Sequence, residues 1–99
     1  MATPPYHRRP LRFPIGALIF SAAVDRLMRD GDLEPLSLFR RHTRGDWGDV
    51  TDEQWHSNNA AIEAGGSLES VYIVHRQLSI RIVTDADRRQ TRITVTTEG

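Results

Sequence analysis

The residues of this chain with the most chemical content fall in a few short stretches. Arg40, Arg41, His42 and Arg44 come in one run, Ser70 and Tyr72 follow two positions apart, and Arg88 comes later. Cleavage of RNA without a metal needs a base for the 2′-hydroxyl, an acid for the leaving 5′-oxygen and cationic donors around the phosphorane. His42 suits either proton-transfer role near neutral pH. Arginine stabilises the spreading phosphate charge, and a tyrosine ring offers a surface on which a base stacks. On this reading His42, Arg41, Ser70 and Tyr72 are the catalytic set, and Arg40, Arg44 and Arg88 hold nucleic acid. A structural reading of the same residues stands beside it. His42 then closes a helix end, Arg41 and Arg44 pair with Asp46, Asp49 or Asp87, and Tyr72 belongs to the core.

Three other groups carry less. Asp46 and Asp49 in the Gly45-Asp-Trp-Gly-Asp49 run are two carboxylates without a further patterned ligand, too few for a divalent metal site. The run reads better as a turn in which the glycines take unusual φ, Trp47 plugs the edge of the core and the aspartates cap the helix that follows. His7, His42, His56 and His75 lie in different segments without ligand spacing, so no metal is expected. Asp85, Asp87, Arg88 and Arg89 read as an exposed, salt-bridged corner. The chain has no cysteine, which excludes disulfides and thiolate chemistry. No cofactor is expected.

The elements that must position these groups can be read from periodicity. Three prolines among the first ten residues oppose regular structure, so residues 1–12 are expected as a flexible arm. A single domain over 13–97 follows. Phe13 to Phe20 reads as a strand. Ser21 is a good N-cap for a helix to Asp30 whose stripe is Val24, Leu27 and Met28. A second helix starts near Glu34 with Pro35 at its first position, and Leu36, Phe39 and the stem of Arg40 share a face. Its cationic end, Arg40 to His42, sits where the macrodipole favours positive charge. Thr51 and Gln54 form a capping box for a third helix, in which Trp55 and Ile62 mark the buried line. Asn58 or Asn59 then faces inward and needs a partner, for which the backbone of the Gly-Asp-Trp-Gly-Asp loop is the natural choice. Leu68 to Val74, Leu78 to Ile82 and Thr91 to Val95 alternate as strands. The expected fold is α+β, in the order β-α-α-α-β-β-β, with the helices packed on one face of a small antiparallel sheet.

Composition bounds the partners. All 13 basic residues are arginine and are balanced by 13 acidic ones, giving a net charge of zero. That argues against broad attachment to nucleic acid or anionic membrane, while arginine suits bidentate recognition of carboxylate or phosphate. The longest apolar run, Ile15 to Val24, is too short to span a bilayer. A cytoplasmic protein is expected, without membrane contact.

The stretch Arg41-His-Thr-Arg-Gly-Asp-Trp-Gly-Asp-Val50, with Asn58, Gly65, Ser70-Val-Tyr72 and Ile82-Val-Thr-Asp-Ala-Asp-Arg88, resembles a family of small uncharacterised proteins of bacterial plasmids and integrative elements. The resemblance covers about residues 13–95. Arg89 stands where that family often has serine, and Arg92 replaces a threonine. The resemblance implies an accessory role in a mobile element and carries no activity. The expected element order also resembles that of RelE-type and colicin-D-like ribonuclease toxins, an analogy of fold alone. Two functions are therefore expected, the first as the leading reading and the second as its alternative. One is a nucleic-acid-acting protein, a metal-independent ribonuclease toxin, with RNA as partner. The other is a non-catalytic inhibitor or adaptor that binds a host defence protein, of the anti-restriction or anti-CRISPR kind.

Overall fold

The computed structural model describes residues 11–98, and almost all of the expected arm lies outside them. The chain folds as β1 (Ala17–Phe20), α1 (Ala22–Arg29), α2 (Leu36–Thr43), α3 (Asp52–Ala64), β2 (Leu68–His75), β3 (Leu78–Thr84), β4 (Gln90–Val95) and a closing 3-10 turn, Thr96–Glu98. This is the expected α+β order. The sheet runs β1-β4-β3-β2. The three C-terminal strands form an antiparallel meander, but β1 joins β4 in parallel, because the chain reaches β4 only after three helices and a hairpin. The first strand is shorter than expected. Phe13 is instead a buried plug ahead of it, and Gly16 turns the chain at φ +64° against the backbone of Arg89.

Each helix start has a physical cause. Ser21 accepts from the Val24 amide at 3.2 Å, as expected for an N-cap. At α2 the expected roles shift by one residue. Pro35 is the cap position, and the Glu34 carboxylate accepts from the amides of Leu36 (2.9 Å) and Ser37 (3.2 Å). Those amide bonds hold the Glu34 carboxyl below its ordinary range. Thr51 caps α3 through the Gln54 amide, but the Gln54 side chain reaches forward to Asn58 rather than back, so only half of the capping box forms.

The sheet alternates cleanly. Leu68, Ser70, Tyr72, Ile80, Ile82, Thr84, Thr91 and Ile93 are buried beneath the helices. The core has two parts. Val24, Leu33, Tyr72, Leu78, Ile80, Ile82 and Ile93 form the larger; Phe13, Trp47, Ala61 and Leu68 form the smaller. The face of α2 differs from expectation. Leu36 is 43% exposed, whereas His42 and Thr43 are buried and Phe39 is half-buried. Spacing of i, i+3, i+4 turns Phe39, His42 and Thr43 inward and Arg40 and Arg41 outward.

Candidate functional site

His42, Ser70, Tyr72 and Arg41 do converge, at the junction of α2 with the inner face of β2. His42 has no exposed surface. Its ring lies edge-on to Phe13 and to Trp47, both at 5.4 Å between centroids. Its Nδ1 is 2.5 Å from Ser70 Oγ, and its Nε2 is 2.9 Å from Thr84 Oγ1. Thr84 Oγ1 is in turn 2.8 Å from Thr91 Oγ1, and Thr91 donates to the Ile15 carbonyl at 2.8 Å.

That last carbonyl sets the direction of the whole chain. A hydroxyl has one proton, and Thr91 spends its own on a group that can only accept. Thr84 must then donate to Thr91, so it accepts from His42. The ring therefore carries its proton on Nε2, and Nδ1 accepts from Ser70; the tautomer follows from the network. Burial lowers the His42 pKa from 6.5 to about 3, and among the described residues no charged side chain bonds the ring. His42 is a neutral connector at physiological pH, not the cationic helix end that position alone suggests.

Tyr72 and Arg41 sit beside this chain and are also engaged. The Tyr72 hydroxyl donates to the Asp46 carbonyl at 2.6 Å, and burial raises the phenol above its ordinary value. The Arg41 guanidinium stacks 4.7 Å from the Tyr72 ring centroid and forms a two-point pair with Asp46, at 2.8 and 3.2 Å. That pair lowers the Asp46 carboxyl. Arg40 and Arg44 are exposed on α2 and just after it. Arg88 lies elsewhere. At φ +61° it turns its guanidinium inward, donating to the carbonyls of Gly66 (2.7 Å), Ala61 (2.9 Å) and Asp85 (3.1 Å). It closes the C-terminal end of α3, so only Asp85, Asp87, Arg89 and Arg92 make the exposed corner.

The Gly-Asp-Trp-Gly-Asp loop is a structural turn with an unexpected task. Gly45 and Gly48 take φ of +81° and +74°. Trp47 is fully buried, and its indole donates to Asn59 Oδ1 at 2.9 Å. The loop then runs along the outer edge of β2: Val71 donates to the Trp47 carbonyl (3.2 Å) and accepts from the Asp49 amide (2.6 Å), and Ile73 donates to Asp49 Oδ2 (2.9 Å). Asn58, buried as expected, finds its partner not in this loop but on the same edge. It accepts from the Glu69 amide (3.1 Å) and donates to the Glu69 carbonyl (2.7 Å). Asp46 and Asp49 thus serve Arg41 and β2 rather than the α3 cap.

Sequence reasoning did not single out the open face of the sheet. Arg81, Val83, Arg92 and Thr94 line a depression of about 400 Å³ there, with Glu69 and Glu98 at its rim. Arg92 pairs with Asp85 at 2.8 Å, and Arg81 Nε lies 3.3 Å from Glu69 Oε2. That contact is within ion-pair distance but lacks hydrogen-bond geometry, which leaves the buried Nε without a bonded partner among the described residues. The signal was available: residues 81, 83, 92 and 94 are the outward half of two alternating strands. Among the described residues, no helix is long and apolar enough to cross a membrane. Comparison with family models, curated proteins and solved structures finds no match to this chain.

Proposed function

We propose that this chain is a non-catalytic binding domain, an inhibitor or adaptor of the kind expected from a mobile element, and that its partner is a host protein. The supporting observation is the state of His42. Both ring nitrogens are committed inside a buried chain of hydroxyls, and the ring has no exposed surface. A ribonuclease needs an acid and a base within hydrogen-bond reach of its substrate. Ser70 and Tyr72 are buried with His42, and Arg41 and Arg88 each direct part of their guanidinium donors to partners within the fold.

The open sheet face supports the same reading. Val71, Ile73 and Val83 lie among Arg81 and Arg92, and each arginine is set against a carboxylate. A nucleic-acid backbone would meet Glu69, Asp85 and Glu98 there as well as the arginines. A protein surface that alternates both signs around apolar groups is the matching chemistry.

Two measurements test this. Purified chain should leave RNA intact, and its expression in a bacterium should not arrest growth. RNA cleavage abolished by His42→Ala would overturn the proposal. A host protein should also co-purify in stoichiometric amount and be released by the double variant Arg81→Glu/Arg92→Glu.

A further inference from the structure

The two edges of the sheet are finished differently. On β2 the loop and Asn58 meet the outward amides of Glu69, Val71 and Ile73 and the carbonyls of Glu69 and Val71. On β1, Ala17 donates to the Arg89 carbonyl at 2.9 Å and Ser21 to the Ile93 carbonyl at 3.0 Å. In a parallel ladder alternate residues bond the same neighbour. Residues 17, 19 and 21 therefore face β4, and the amides and carbonyls of Leu18 and Phe20 face outward. Among the described residues, none bonds those four groups. An edge that the described residues leave open in this way is a template for another strand.

We propose that two copies of this chain pair antiparallel through β1, about a two-fold axis at Ile19. The strand is complementary to itself in that arrangement. Leu18 of one copy lies opposite Phe20 of the other, and the reciprocal pair forms on the far side of the axis. Each pair exchanges both backbone bonds, so every outward group of β1 is satisfied. Ile19, 41% exposed on the open face, then meets its own counterpart in the close, non-hydrogen-bonded position. Half-buried Leu18 and Phe20 extend the core side across the axis. The net charge of zero gives no long-range repulsion between copies. Two four-residue strands bury less than the roughly 1,200–2,000 Å² of stable interfaces, so the pair is reversible and concentration-dependent. This inference does not depend on the proposed function, whose test uses Arg81 and Arg92.

Sedimentation of the full chain across a concentration series tests it. The expected mass rises from 11.3 kDa toward twice that value. Ile19→Lys and Ile19→Glu should each stay monomeric, because like charges then face one another across the axis. An equimolar mixture of the two should associate. Wild-type chain that remains a monomer up to about 1 mM, where even a binding free energy of about −4 kcal/mol would show, overturns the proposal. So does a dimer that Ile19→Lys leaves intact, since its interface must lie elsewhere. Unchanged thermal unfolding of the variants at low concentration separates loss of pairing from loss of fold.

Discussion

Along β2, five outward backbone groups of Glu69, Val71 and Ile73 are met by Trp47, Asp49 and Asn58; along β1, the corresponding groups of Leu18 and Phe20 meet no described residue. The difference lies in what backs each edge. Behind β2 stand a buried tryptophan, a buried asparagine and the His42 chain, which reaches that strand through Ser70. Edge closure and the polar interior are one construction there. The most distinctive stretch of the sequence, Arg41 to Val50, thus has a structural role, because its loop closes a sheet edge.

Substitutions can break this contrast in graded fashion. Gly48→Ala should cost the most, about 4 kcal/mol or loss of folding. A Cβ there would come within 2.2 Å of the Val71 carbonyl and 2.5 Å of the Tyr72 ring, at φ +74°. A urea midpoint close to wild type would show that the loop can leave β2 without harm. Asn58→Ala should follow at about 3 kcal/mol, since the Glu69 amide and carbonyl both lose their partner. Hydrogen exchange should then quicken at Glu69 before other β2 amides.

The His42 chain makes the sealed side sensitive to acid. Its folded-state pKa, about 3, lies below the ordinary 6.5, so the unfolded chain takes up the proton first. Stability is complete above pH 6.5 and falls as pH drops from there toward 3. The loss should reach about 2 kcal/mol between roughly pH 7.5 and pH 5. The lowered carboxyls of Asp46 and Glu34 titrate in the unfolded chain only near 3.8 and 4.5, so this window belongs to the histidine. A flat denaturation profile across it would mean that His42 is not held neutral. Asp49→Ala should cost about 1 kcal/mol or less, because its bond to the Ile73 amide is exposed. Ile19→Lys, on the open edge, should leave the monomer within about 0.5 kcal/mol of wild type by thermal melting. A large loss there would show that the β1 edge already carries structural weight in one copy.

Much of this was legible in the sequence because it is local. Ser21 and Thr51 as caps, the alternation of the last three strands, Trp47 as a plug and Gly45 and Gly48 as turn formers all follow from neighbours within a few positions. The interior of the site was not, because its partners are distant in sequence. His42 in an arginine-rich run reads as a charged helix end until Phe39 and Thr43 are seen to share its face. Thr84 and Thr91 extend the buried rows of Ile82 and Ile93, and a hydroxyl in such a row was the available sign that a polar partner lay opposite. Arg88 reads as surface charge because nothing nearby shows that its φ turns it toward the end of α3. Which edge of the sheet is closed depends on the order of strands, and the parallel entry of β1 could not be read from its own four residues.

The hydrogen-bonded chain from Ser70 to Ile15 joins five segments spread between Ile15 and Thr91. The first half of the domain holds only Ile15 and His42 and the second only Ser70, Thr84 and Thr91, so neither half can bury its own polar groups. Partial structures that include the histidine must leave it wet or unpaired. Assembly should therefore be a single concerted event. A cut at the exposed hairpin of Arg76 and Gln77 would separate Ser70 from Thr84 and Thr91, and it should yield two pieces that fold only together.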